Sequence, residues 1–134
     1  MITRLLLSGL LVIVFAITSF GVVRPYPVKK KMMDRDLVIT NLINGINSEN
    51  QGLKTSSTYF LGEIKADEAV IPLMNILKSD DNEESRIMAA LSLVKIGDRR
   101  GIFAIKQAIK FDSSERVQKM CSIFYQNYLS KKMI

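Results

Sequence analysis

The sequence predicts an all-α fold: a short α-solenoid of about three helix pairs, preceded by an N-terminal hydrophobic targeting or anchor helix. Three observations predict it. The chain begins with a long uncharged apolar run, the remainder repeats its apolar pattern at a fixed offset, and the apolar residues within each unit have helical spacing. No alternating apolar and polar segment is flanked by turn residues, so the sequence gives strands no support.

The first 23 residues have the features of a targeting or anchoring segment. Residues 5–23 form a 19-residue run without a charge, which is about the length that spans a bilayer as a helix. Ser19 and Gly21 offer the small residues of a signal-peptide cleavage site. We therefore expect residues 1–23 to be a signal peptide or a membrane anchor. The protein is then exported, to the periplasm or outside the cell, or membrane-anchored, and the bases after the run leave a cytoplasm-facing anchor open.

Residues 24–33 are predicted to be a basic, proline-containing linker between this segment and the repeat domain, residues 34–134. Pro25 and Pro27 prevent a helix from continuing. Lys29, Lys30 and Lys31 follow, where they could contact anionic lipid headgroups if the segment stays in a membrane. The single cysteine, Cys121, excludes an intrachain disulfide.

The repeat is seen by comparing positions that are separated by one constant offset, the offset from Leu61 to Leu93. Every matched pair is apolar or small. The first members are Leu61, Ile64, Ala69, Val70, Leu73 and Leu77, and the second are Leu93, Ile96, Gly101, Ile102, Ile105 and Ile109. With a loop shortened by two residues, Arg86 and Ile87 would match Arg116 and Val117. Such a period is typical of folds in which each helix pair buries its apolar face against its neighbours.

The helical periodicity predicts six helices after the linker, with boundaries set by capping signals. Gly97 suits a left-handed C-terminal cap, Asp98 suits an N-cap, and Asp81 with Glu84 has the spacing of a capping box. The predicted helices are residues 36–46, 52–64, 68–78, 83–96, 99–110 and 114–129. The first and last carry polar faces, as the exposed ends of a stack require.

Residues 53–118 resemble the HEAT-like repeat named after the phycobilisome lyases. The second copy carries the resemblance through Arg86, the pair Ala89 and Ala90, Leu93, the run Ile96-Gly97-Asp98, and Arg100. Departures include Val94 in place of a glycine and Lys65-Ala66 in place of glycine-aspartate. The resemblance implies a stack of helix pairs, with Pro72 at a bend in a helix.

The resemblance also bears on function. Such proteins are mostly scaffolds or binding modules, and the enzymes among them hold iron with histidine and glutamate pairs or act on bilin chromophores. This chain has no histidine, so we expect no metal, no cofactor and no catalytic residue. The prediction is a non-enzymatic protein-binding scaffold or adaptor. The alternatives are a chromophore- or protein-modifying enzyme of the lyase type and a nucleic-acid binder through the basic second half.

Charge is distributed unevenly, which bears on the partner. Residues 49–84 hold eight acidic and three basic side chains, whereas residues 95–119 hold seven basic and three acidic ones. This distribution weakens the nucleic-acid prediction that the net charge of +6 invites. The sequence predicts a protein partner of unknown identity, with membrane contact through residues 1–23 if they remain.

The predicted partner-binding residues are Arg99, Arg100, Lys106 and Lys110, since three of them fall along one face of a helix. Cys121 lies in an apolar helical context and is predicted to be a structural core thiol. The acidic loop 80–84 lacks the glycine and glutamate of an EF-hand, so we expect it to be solvated and to cap helices.

Overall fold

The computed structural model describes residues 34–132 as six α-helices and one 3-10 turn, with no strand in that range. The helices are α1 (Arg35–Ile46), α2 (Gln51–Glu63), α3 (Val70–Ser79), α4 (Glu83–Ile96), α5 (Arg99–Phe111) and α6 (Glu115–Lys132), and the 3-10 turn, Asp67–Ala69, precedes α3. The all-α prediction is confirmed, and all six predicted helices are present. The predicted N-terminal segment 1–23 and linker 24–33 lie outside the described residues.

The helices pack in two rows. In the first row α2 contacts α4, and α4 contacts α6; in the second row α3 contacts α5. α4 also contacts α3 and α5, and α6 contacts α5, so the two rows share one core. α1 covers the free end, where it contacts α2 and the 3-10 turn. The fully buried core residues include Leu61, Leu73, Leu93, Ile105 and Val117.

The first-row helices begin with the same capping arrangement, which recurs at the offset of the sequence repeat. In each case the cap side chain accepts from a backbone N–H three residues later, and a side chain two residues earlier accepts from the cap's own N–H. The caps are Asn50, Asn82 and Ser114, and the preceding acceptors are Ser48, Asp80 and Asp112. The predicted capping box at Asp81 and Glu84 is therefore wrong, because Asn82 caps α4.

Largely shielded ion pairs recur with the same period. Lys54 Nζ lies 2.8 Å from Asp80 Oδ2, and Arg86 makes the equivalent pair with Asp112 through two hydrogen bonds of 3.0 and 3.1 Å. The Arg86 guanidinium also donates to the Asp80 carbonyl at 2.7 Å, and Gln118 makes the equivalent bond to the Asp112 carbonyl at 2.7 Å. Gln118 therefore occupies the position of Arg86, and the predicted match of Arg86 to Arg116 is wrong.

α2 and α4 approach each other closely at Gly62. A Cβ at this position would lie 2.7 Å from the Ser92 Cα, so only glycine fits without moving a helix. Beside it, the Ser92 hydroxyl donates to the Thr58 carbonyl at 2.7 Å. This contact fixes the spacing between the first two helices of the first row.

The turns between the rows use left-handed residues, again one repeat apart. Gly97 caps α4 at φ 80°, as predicted, and Lys65 takes the equivalent position at φ 49°. Asp98 caps α5 as predicted. Pro72 is the third residue of α3, where a backbone N–H would have no intrahelical acceptor. The 3-10 turn directly precedes α3, and the bend that the resemblance implies at Pro72 stays a prediction.

Lys65→Gly should stabilise the protein, because a side chain in the left-handed region costs about 1–2 kcal/mol that glycine avoids, partly offset by the freedom glycine adds to the unfolded chain. We expect a net gain of about 1 kcal/mol, measured by urea unfolding. Lys119→Gly, on the exposed face of α6, should lose about 1 kcal/mol. Equal effects of the two substitutions on the free energy of unfolding would contradict the left-handed conformation of Lys65.

Arg86→Ala should lower the free energy of unfolding by about 3–5 kcal/mol, because it leaves the Asp112 carboxylate buried without its partner. Arg116→Ala is the matched control, since Arg116 pairs with Glu84 where both side chains are 58% exposed. Its loss should stay below about 1 kcal/mol. Chemical denaturation of both variants measures the difference, and a cost for Arg116→Ala as large as that for Arg86→Ala would refute this role of Arg86.

Candidate functional site

α5 presents a basic stripe to solvent. Arg99, Lys106 and Lys110 are exposed, and their spacing of seven and four residues places them on one face. Phe103 lies on the same face, four residues after Arg99, and its side chain is 61% exposed. Lys106 Nζ is 5.9 Å from the centre of the Tyr125 ring, a cation–π contact with α6. The structure therefore brings three of the four predicted partner-binding residues together around a phenylalanine.

Arg100, the fourth predicted residue, lies apart from this stripe. Its side chain is paired with the cap of its own helix, with Nε 3.0 Å and Nη2 3.2 Å from the two Asp98 oxygens. The guanidinium and the backbone N–H of Arg100 together hold the pKa of the Asp98 carboxyl below its usual value. Arg100 therefore stabilises the start of α5 through its own N-cap residue.

A groove of about 620 Å³ runs between α3 and α5, beside the basic stripe. Its floor and walls are mostly apolar, with Ala104 and Ala108 between the two helices and Phe111, 75% exposed, at one end. The lining residues are Met74, Asn75, Leu77, Lys78, Phe103, Ala104, Gln107, Ala108, Phe111 and Asp112. Sequence reasoning missed Phe103 and Phe111, although Phe103 stands on the predicted basic face, where an apolar side chain is unexpected.

A second groove, about 480 Å³, occupies the equivalent place one repeat earlier, beside α1 and α3. Ile71 corresponds to Phe103, and Ser79 corresponds to Phe111. Lys54 and Asp80 line this groove and neutralise each other. The two grooves lie at equivalent positions, one repeat apart. Of the two, only the groove between α3 and α5 combines two exposed aromatic rings with neighbouring bases.

The uneven charge along the sequence is partly cancelled in the fold. Lys95 pairs with Glu63, and Arg116 pairs with Glu83 and Glu84, so bases of the second half meet acids of the first. Arg86 and Asp112 likewise cancel each other. The ion pairs among residues 34–132 do not include Arg99, Lys106 or Lys110, so they do not neutralise the basic stripe.

Tyr59, Glu63 and Lys95 form a compact grouping of titratable side chains where α2 faces α4. The Lys95 ammonium lies 4.2 Å from the centre of the Tyr59 ring and pairs with Glu63. The hydrogen bond to Glu63 raises the pKa of Tyr59, and the bond from Lys95 lowers the pKa of Glu63. Both shifts move away from neutrality, the opposite of what general acid–base catalysis requires.

The acidic loop, residues 80–84, has a structural role at the start of α4. Asp80 and Asn82 cap α4, as predicted for this loop. Burial raises the pKa of Asp80, but the Lys54 ammonium and the Asn82 N–H more than offset it, leaving that pKa lowered.

Cys121 is fully buried in the core, which confirms its predicted structural place. Within residues 34–132 no group of three or more His, Cys, Asp or Glu side chains could hold a metal ion.

Comparison with protein-family models and with curated proteins finds no match to this chain. The HEAT-like resemblance therefore stays a prediction. The fold and surface define an all-α protein with an aromatic groove beside a basic stripe on its second row of helices. Among the helices described between residues 34 and 132, none has the length and apolar character needed to cross a membrane.

Cys121 should resist thiol reagents in the folded protein. Burial, assisted by the Asp112 carboxylate and opposed by Arg86, raises the pKa of the Cys121 thiol to about 12, so the thiol is protonated at pH 8. We expect negligible labelling by an aromatic disulfide reagent at pH 8 and one thiol per chain once guanidinium unfolds the protein. Rapid labelling of the folded protein would contradict the buried assignment.

Proposed function

We propose that this chain is a HEAT-type α-solenoid of about three helix pairs that acts as a non-enzymatic protein-binding scaffold or adaptor. It is exported, or tethered to a membrane through residues 1–23. The observation that carries the binding role is the groove between α3 and α5, with two exposed phenylalanine rings and a basic edge. The solenoid assignment is supported by the two rows of helices and by the capping bonds and ion pairs that recur with the sequence repeat.

The exposed rings make the groove a favourable place to bind a protein. Phe103 and Phe111 are 61% and 75% exposed, and covering an aromatic side chain of this kind is worth about 1.5–3 kcal/mol. Aromatic residues in recessed surfaces are frequent binding hot spots. Because neither ring packs in the core, their exposure is better explained by a partner than by folding.

The two rival functions have less support. A lyase-type enzyme needs titratable groups tuned toward neutrality, whereas the Tyr59 and Glu63 pKa values move away from it. A nucleic-acid binder needs a continuous phosphate-binding surface, whereas several bases of the second half are engaged by carboxylates.

Photo-crosslinking tests the proposal. A benzophenone amino acid placed at position 103 of the full chain, expressed in its own cell, should give a discrete crosslinked protein adduct. The same probe at Ile71, in the equivalent position of the other groove, and at Ile123, exposed on α6, serves as the matched control. Phe111→Ala combined with the probe at 103 should reduce the adduct by at least about fivefold, the effect of losing roughly 1 kcal/mol of binding.

Mass spectrometry identifies the adduct, and the position dependence decides the outcome. A protein adduct at 103 that is weak at 71 and 123 supports the binding role of this groove. Identical adduct patterns at all three positions, or adducts to nucleic acid alone, would remove it.

A further inference from the structure

We infer that the groove between α3 and α5 binds an amphipathic α-helix with apolar residues on one face and acidic residues flanking them. This inference rests on the proposed function, because it names the chemistry of the partner at the same groove. It also explains why the basic stripe and the exposed rings stand next to each other on α5.

The apolar part of the groove matches about two turns of one helix in length. Phe103 and Phe111 are eight residues apart on α5, about 12 Å at 1.5 Å per residue, which corresponds to roughly two turns of a partner helix. Met74 from α3 closes the opposite wall, while Ala104 and Ala108 leave room between the walls. A partner with apolar residues at positions i, i+4 and i+7 would therefore reach Phe103, Met74 and Phe111 from one face.

The charge at the groove selects acidic flanks. Lys78 lines one wall, and Lys106 and Lys110 are exposed on the same face of α5 as Phe103, three and seven residues after it. None of these lysines has an ion-pair partner among the described residues. The one carboxylate in the lining, Asp112, is already held by Arg86. Glutamates on both flanks of a bound helix would therefore meet ammonium groups, and lysines there would be repelled.

The recessed shape favours a helix over a lipid surface. Lysines beside exposed aromatic rings could also contact an anionic membrane, but the lining reaches down to Ala104 and Ala108 between α3 and α5. A flat headgroup surface would cover Phe103 and Phe111 and leave that recess unfilled, whereas a helix with side chains directed into it would fill the recess. The membrane is therefore an outcome that the experiment must separate.

The test uses the full chain held in nanodiscs of zwitterionic lipid, with empty nanodiscs as the blank. Three fluorescent peptides share one apolar pattern at i, i+4, i+7 and i+11 and carry glutamate, glutamine or lysine at the flanking positions. A fourth peptide has the glutamate composition in scrambled order. Fluorescence anisotropy at low and high salt gives the affinities, and sedimentation with phosphatidylglycerol vesicles measures membrane binding.

We expect the glutamate peptide to bind most tightly, the glutamine peptide at least about fivefold more weakly, and the lysine and scrambled peptides more weakly still. Phe103→Ala should weaken binding of the glutamate peptide by at least about tenfold. Lys106→Glu with Lys110→Glu should abolish the preference for glutamate over glutamine. Ile71→Ala, the counterpart of Phe103→Ala in the other groove, should leave the affinity unchanged. Because all four residues are exposed, circular dichroism should show folded variants.

Three results would overturn the inference. They are equal binding of the glutamate and glutamine peptides, equal loss from Ile71→Ala and Phe103→Ala, and sedimentation with vesicles without peptide binding. If no peptide binds while the probe at position 103 still captures a protein, the partner has another chemistry and the proposed function stands. If that probe captures nothing, the proposed function fails as well, so the two failures are distinguishable.

Discussion

The Arg86 side chain is the contact on which the arrangement of the second repeat depends. It joins three segments, because Arg86 belongs to α4, its carbonyl acceptors lie between α3 and α4, and its carboxylate partner lies between α5 and α6. Asp112 in turn accepts from the Ser114 N–H at the start of α6. A buried guanidinium is tolerated only when its donors are satisfied. This cluster therefore fixes where α5 ends and α6 begins relative to α4.

The same requirement explains why the grooves recur. Lys54 and Asp80 make the corresponding pair one repeat earlier, and Gln118 makes the corresponding carbonyl bond one repeat later. Since each repeat aligns its loops through these polar contacts, the second-row helices are held in equivalent positions. One groove then lies between α3 and α5 and the other beside α3 and the end of α1, and their chemistry depends on the side chains placed in them.

Helix content and most helix boundaries could be predicted, because apolar spacing, Gly97 and Asp98 are local signals. The strict register of α6 with the earlier repeats could not, because Gln118 replaces an arginine, and the equivalence is revealed by its bond to the Asp112 carbonyl and by the Ser114 cap. The pairing of Arg100 with Asp98 could not be predicted for a similar reason, since it depends on side-chain conformation. The groove was missed because it is formed by two helices that are distant in sequence, and no local pattern marks Phe111 as exposed.

Comparing the repeats distinguishes the residues that hold the helices together from those that make the two grooves differ. Positions that cap helices or pair loops keep their roles at each repeat, as Asn50, Asn82 and Ser114 do. The outer positions change freely: Met74 is followed one repeat later by Lys106, and Ser79 by Phe111. These changes contribute little to folding, since both later side chains are exposed. Under the proposed binding role, these exposed side chains of α5 would contact the partner, while the repeated caps and ion pairs would hold α5 in position.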